Sequence, residues 1–413
     1  LNNCNRKLPW LARWHVLLLA CVLALAACGG DDDDDSASGN GGSTGGSSTV
    51  AANAVSIAIG GGPANNINLP LVSVTICAPN SSRDCQTIDN MLVDTGSSGV
   101  RVYASVLAPS IPLPQELLAD GSALVECAQF ADGNTWGPVM RADIKMASQL
   151  ATAIPIQVIA DTRFPAVPTE CVNSGEILDT VRSFGANGVL GIGVFQEDCG
   201  IACALTIGHG IYFSCTTATC RTVAAPMAQQ VQNPVAFFAT DNNGVAITLP
   251  AVPAEGAANV TGLLVFGIGT QSNNALGSAT VLTVDPDTGL FTTIYKGNAL
   301  RRSFIDSGSN GLFFPESTIP ACTSGFYCPP ATLSLTATHQ GLNGVQREIP
   351  FTVANADVLI KNNPGARAYG NLGGPGLSVD MFDWGLPFYF GRTVFTAIEG
   401  RATPGGVGPY YAY

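Results

Sequence analysis

The feature that most constrains this chain is a motif that occurs twice. Met91-Leu92-Val93-Asp94-Thr95-Gly96-Ser97-Ser98-Gly99-Val100 and Ser303-Phe304-Ile305-Asp306-Ser307-Gly308-Ser309-Asn310-Gly311-Leu312 share one plan. Each has an apolar strand, an aspartate, a hydroxyl residue, Gly, Ser, a polar residue, Gly and an apolar restart. The two aspartates lie 212 positions apart. Solenoid repeats recur at about 20–50 residues, so this spacing predicts two lobes. A second element recurs behind the first. Gly188-Val189-Leu190-Gly191-Ile192-Gly193 follows Asp94, and Leu386-Pro387-Phe388-Tyr389-Phe390-Gly391-Arg392 follows Asp306. Both read as apolar strands ending in glycine.

An aspartate that ends an apolar strand before Thr-Gly-Ser suits a tight turn that glycine permits. Hydroxyls and backbone N–H groups of such a turn can hold the carboxylate. Two turns facing each other across a pseudo-twofold axis bring two carboxylates together. These cannot both ionise easily, so they share a proton and titrate as a unit. One can act as base on a water while the other, protonated, hydrogen-bonds to a substrate carbonyl. Asp94 and Asp306 are therefore the candidate catalytic pair. Thr95, Gly96, Ser97, Ser307, Gly308 and Ser309 are their candidate supports. The bland reading of one Asp-Thr-Gly-Ser is a turn signal; two copies, each behind an apolar strand, weigh against it.

On these motifs the chain, over roughly residues 53–413, resembles the pepsin-like aspartic peptidases. Asp94-Thr95-Gly96-Ser97-Ser98 matches the first active-site loop of that family, and Asp306-Ser307-Gly308-Ser309 the second, with Ser for the usual Thr. The resemblance implies an all-β, bilobal fold with the cleft between pseudo-twofold lobes, here residues 51–260 and 261–413. It makes 188–193 and 388–392 the strands behind the two loops, 393–398 a closing strand and 262–267 the strand joining the lobes. Residues 234–238 and 245–249 alternate well enough for a hairpin. It also implies a flap hairpin with Phe130, Asp132, Gly133 and Trp136, with strands over 126–130 and 139–146 and Gly133 and Gly137 at the tip. The expected activity is peptide-bond hydrolysis on an extended peptide or protein by a monomer, with no metal and no organic cofactor.

Two positions depart from the family pattern. Phe130 stands where the flap usually carries Tyr, and Arg101 where its partner Trp is usual. The hydroxyl–indole link that orients the flap is missing. This motivates a second reading, a non-catalytic peptide-binding or surface-structural protein on the same fold. Arg101 itself must find a carboxylate or stay solvated, since burying it unpaired is costly. The alignment offers Asp132 as partner in a latch; the alternative points Arg101 outward to solvent.

Other chemistries fit poorly. The formal net charge of −12 disfavours nucleic acid, which needs clustered Lys and Arg. A Ser-His-Asp triad needs a histidine, and only His209 and His339 follow residue 27. With 46% hydrophobic and 12% charged residues the chain is not globally disordered.

The N-terminal stretch sets the expected compartment. Residues 1–27 carry Arg6, Lys7 and Arg13 and no acid, then an apolar run over 16–27 that is short for a membrane span. Leu25-Ala26-Ala27-Cys28-Gly29 resembles the lipobox of bacterial lipoproteins, implying signal cleavage before Cys28 and lipidation on it. Gly29, by resemblance to a bacterial sorting rule, points to the outer membrane. Residues 28–50, with five consecutive aspartates and a Gly/Ser/Thr run, read as a flexible tether. Setting aside Cys4, Cys21 and Cys28 leaves ten cysteines, an even number that suits an oxidising compartment. The close pairs 77/85, 199/203, 215/220 and 322/328 would staple short loops and leave 127/171, although sequence alone does not fix connectivity. A zinc site of Cys199, Cys203 and His209 lacks the usual ligand spacing.

Overall fold

The computed structural model describes residues 51–207, 210–216 and 219–413. They form an all-β unit. The first half contributes β1 (Ala54–Gly60), β2 (Leu69–Cys77), β3 (Cys85–Asp94), β4 (Ser98–Tyr103), β5 (Ala123–Gln129), β6 (Asn134–Met146), β7 (Gln149–Ile159) and β8 (Gly188–Ile192). Long antiparallel pairs, β2 with β3, β5 with β6 and β6 with β7, build its walls.

β8 lies at the centre of this half. It runs parallel to β3, with Val93 opposite Leu190 and Asp94 opposite Gly191, and antiparallel to β4 on its other side. A strand flanked on both edges and covered on both faces reads as a continuous apolar run. All five residues of β8 are buried, as are the last four of β3. The chain must leave β3 at Asp94 and re-enter at β4, so the turn wraps over the end of β8. That constraint fixes where Asp94 emerges.

The second half repeats the plan. Asn298–Ile305 runs parallel to Asp383–Trp384, which pairs antiparallel with Leu312–Phe314. The turn bearing Asp306 wraps over the end of the Asp383–Trp384 strand. Around it pack Phe291–Tyr295, Leu333–Gln340 and Gln346–Val353. Phe314, Phe382 and Trp384 stack in series, with centroids 4.8 and 4.0 Å apart.

Between the halves lies a shared sheet. Val260–Phe266 pairs with β1 and with Gly244–Leu249; the latter pairs with Arg392–Ala397, and that strand with Tyr410–Ala412. The expected strand over 262–267 and the closing strand over 393–398 are both here.

Two expected elements differ. Pro234–Phe237 is a 3₁₀ turn, not the first strand of a hairpin. Asn233 caps it and Pro234 occupies its first position, where a missing N–H costs nothing. Leu386–Phe388 is also a 3₁₀ turn, so the strand behind the second motif is not 388–392 but Asp383–Trp384, ending at Gly385. Among the described residues five disulfides join 77–85, 127–171, 199–203, 215–220 and 322–328. No described helix is long and apolar enough to cross a membrane.

Candidate active site

The two motif turns meet head to head. The Ser307 N–H donates to Thr95 Oγ1 (3.0 Å) and the Thr95 N–H to Ser307 Oγ (3.2 Å). The same hydroxyls donate across to main-chain carbonyls: Thr95 to Ile305 (3.2 Å) and Ser307 to Val93 (2.7 Å). Each turn is thus tied to the strand that delivers the other. Tyr389 Oη, 2.8 Å from Thr95 Oγ1, supports this lattice from below.

Asp94 and Asp306 stand on top of it. The Gly96 N–H donates to Asp94 Oδ1 (2.8 Å) and to Asp306 Oδ1 (3.1 Å), and the Gly308 N–H donates to Asp306 Oδ1 (2.7 Å). One N–H shared by two carboxylates places their inner oxygens side by side. The outer oxygens meet serines: Ser97 Oγ donates to Asp94 Oδ2 (2.5 Å), and Ser309 Oγ lies 2.8 Å from Asp306 Oδ2. Burial, then the Asp94 and Asp383 carboxyls, push the Asp306 pKa well above its ordinary value. This pair can hold one proton between two carboxyls.

The pair opens into a cavity of about 350 Å³. Leu69, Leu92, Phe130, Phe184, Phe313 and Leu377 give it apolar walls. Asp132 and Asp383 add two further acids, and no Lys, Arg or His lines it among the described residues.

β5 and β6 form the flap hairpin, turning at 130–133, where the Phe130 N–H donates to Gly133 O (2.8 Å). Phe130 and Asp132 line the cavity from the hairpin tip. Burial pushes the Asp132 carboxyl up, and Asp94 adds to this. Gly137 and Trp136 are not at the tip. Both lie inside β6, which begins at Asn134 rather than 139. A Cβ on Gly137 would fall 2.0 Å from Val158 O, so glycine there permits close passage of β7. Trp136 is buried edge-on to Phe213, with its Nε1–H donating to Phe164 O (3.0 Å). The flap tip instead rests on Phe184, whose ring is 5.8 Å from that of Phe130.

Arg101 neither latches to Asp132 nor faces solvent. It is 3% exposed on β4 and bound to Glu126 (2.6 Å), itself fully buried in β5, and to Asp198 (3.1 Å). Its Nη1–H also donates to Ser98 O (2.9 Å). Burial opposes the guanidinium charge, but Glu126 and Asp198 outweigh it and raise the pKa. Burial and then Glu126 push Asp198 well up. The guanidinium lies 5.7 Å from the Phe130 ring centroid, close enough for a cation–π contact. An ion cluster behind the flap therefore occupies the region where the resemblance implies a hydroxyl–indole link.

Sequence reasoning missed Asp383. It is 6% exposed, with Oδ2 2.6 Å from Ser309 Oγ. Burial pushes its pKa up to about 8 against the lowering effect of the Ser309 hydrogen bond, and Asp94 adds to the rise. The signal is an acid inside the apolar run Met381-Phe382-Asp383-Trp384, which the more apolar run at 388–392 masks in the sequence. The signal segment, the tether, the lipidation site Cys28 and the zinc candidate His209 lie outside the described residues.

Among solved structures, the aspartic proteinase from Irpex lacteus is similar at 14% identity and a TM-score of 0.48, over 87% of this chain and 96% of that one. No curated protein matches the sequence significantly. A family model matches residues 49–413, and the chain accordingly belongs to the family described as "Protein of unknown function (DUF3443)".

Proposed function

We propose that this protein is an aspartic-type endopeptidase acting on extended peptides. The observation that supports it is the Gly96 N–H held between the Asp94 and Asp306 carboxylates at the floor of an apolar-walled cavity. Asp306, whose proton affinity is raised, holds the shared proton and donates it to the substrate carbonyl oxygen. Asp94 takes a proton from the water that attacks the carbonyl carbon. The resulting diol collapses as Asp94 passes the proton it took to the amide nitrogen and one diol hydroxyl returns a proton to Asp306, and the C–N bond breaks. Ser97 and Ser309 orient the carboxylates. The flap tip at Phe130 and Asp132 closes over the peptide, which adds along the cleft as an extended strand.

The test is cleavage of a peptide library by residues 51–413 from acid to neutral pH. Asp94→Asn should lower turnover by about 10²–10⁴-fold with the fold intact. Turnover surviving that change would overturn the mechanism. The second reading, a peptide-binding protein, rests on Phe130, which has no hydroxyl to give. Peptide binding without products, and no response to a transition-state-type inhibitor, would favour it.

The chain is further proposed to be exported and anchored as a monomer by lipid on Cys28, on the outer membrane. The five disulfides suit an oxidising compartment. Fatty-acid labelling that persists in Cys28→Ser would refute the anchor.

A further inference from the structure

The repeat makes Asp383 conspicuous. In the first half, β8 runs beside β3 with Val189 opposite Leu92; in the second, Asp383 occupies the equivalent place opposite Phe304. Val189 is fully buried and apolar, whereas Asp383 puts a carboxyl in the same buried setting. A buried acid is costly unless it is partnered.

Its partnering is incomplete in an informative way. Asp383 Oδ1 is buried and has no hydrogen-bond partner. Asp383 Oδ2 is 2.6 Å from Ser309 Oγ, which is also 2.8 Å from Asp306 Oδ2. A serine hydroxyl has one hydrogen and therefore donates to only one of these two oxygens. The other contact needs a proton from a carboxyl. The surroundings decide which one. The groups facing Asp383 are Asp94 and Asp306 on the motif turns, Asp132 across the cavity on the flap, and the Tyr411 phenol behind. Arg302, on the adjacent strand, lies 3.9 Å from Asp380. His339, packed on Trp384, is kept neutral by burial and by Arg392 and Arg347. An ionised Asp383 would thus leave charge on an unpartnered oxygen among acids.

We propose that Asp383 is a positioning residue for the Asp94–Asp306 pair: it keeps its proton and donates it to Ser309 Oγ, which donates its own hydrogen to the outer oxygen of Asp306. No bond to carbon forms or breaks; the chain of donors fixes the Asp306 carboxyl. When Asp383 ionises, the Ser309 hydrogen is contested by two carboxylates and the outer oxygen of Asp306 loses undivided use of that donor. Burial among acids raises the pKa of Asp383, so this should occur on the alkaline side of the ordinary carboxyl range. The catalytic consequence rests on the peptidase reading; the proton placement does not.

The experiment titrates aspartate carboxyls by NMR in protein labelled with ¹³C at the aspartate carboxyl, alongside pH–rate profiles. A carboxyl that keeps its proton to near pH 8 should vanish in Asp383→Asn, whose amide N–H still donates to Ser309. In Ser309→Ala that carboxyl should titrate lower, because its protonated form loses an acceptor. A shift upward would mean that Ser309 donates to an ionised Asp383, and would overturn the proposal. So would the absence of any Asp383-dependent carboxyl titrating above about pH 6. If peptide is cleaved, the alkaline fall in kcat/KM should move up by about one pH unit or more in Asp383→Asn, with KM little changed. An unmoved limb would refute the positioning role. A wild-type protein that titrates as described yet cleaves nothing would sink the peptidase reading and leave the proton placement standing.

Discussion

Gly96 and Gly308 show why a residue read as a turn former can be required for a different reason. Neither has a positive φ, so backbone freedom does not demand glycine. A Cβ on Gly96 would fall 2.6 Å from Asp306 Cγ, and one on Gly308 2.8 Å from Asp94 Oδ1. Each glycine makes room for the aspartate of the opposite half. Gly96→Ala should therefore separate the two carboxylates. We expect a stability loss of about 1–3 kcal/mol by urea denaturation, together with loss of affinity for a transition-state-type inhibitor if the site is a peptidase. A variant as stable as wild type would show that the turns do not meet as described. The motif was legible residue by residue. The reason for its glycines was not, because the clashing atoms come from residues 210 and 214 positions away.

At the scale of the element, the flap hairpin depends on a charge cluster behind it. Glu126 of β5 is fully buried against Arg101, and Asp198 completes the group with Tyr212 Oη donating to its Oδ1 (2.6 Å). Removing the cation leaves buried acids without compensation. Arg101→Met should cost about 3–5 kcal/mol and speed hydrogen exchange in β5. The loss should depend little on salt, since buried pairs are weakly screened. A loss under about 1 kcal/mol would mean the cluster relaxes into solvent. The base of the flap is further held by Cys127–Cys171, which closes a separation of 44 residues. Replacing both cysteines by serine should cost about 3–4 kcal/mol, read as a lowered urea midpoint. An unchanged midpoint would refute that role. The hairpin was legible through the resemblance of residues 126–146 to a flap, but its ends were not. Gly137 reads as a turn in sequence, whereas close packing against Val158 places it inside a strand.

Over the whole molecule, several carboxyls have raised pKa values, Asp132, Asp198, Asp306 and Asp383 among them. The unfolded chain releases these protons near pH 4, whereas the folded protein holds them to higher pH. Stability should therefore fall as pH rises from about 4 toward about 8. Glu316 works the other way. Desolvation is outweighed by Lys296 and Thr318, its pKa is held down to about 2, and the stability it contributes is lost as pH falls from about 4.5. Scanning calorimetry between pH 3 and 9 should give the highest Tm near pH 4–5. Asp383→Asn should recover part of the loss at pH 8. A Tm that climbs steadily from pH 4 to pH 8 would contradict this balance.

The sequence by itself determined the duplication and the two aspartate turns, and through the resemblance those turns carry it implied the all-β class. The turns are local runs of about ten residues, where turn chemistry and repetition are visible. Tertiary structure alone decided the partners of Arg101, the true strand behind Asp306 and the place of Asp383. Arg101 chose Glu126 and Asp198 over Asp132 because burial on β4 puts those carboxylates within reach, and a desolvated guanidinium needs them. Asp383–Trp384, rather than the more apolar 388–392, passes behind the second turn because Pro387 and the 3₁₀ turn at Leu386–Phe388 interrupt that run. An acid enters the surroundings of Asp94 and Asp306 for the same reason, through a pairing of Phe304 with Asp383 that only the folded sheet creates.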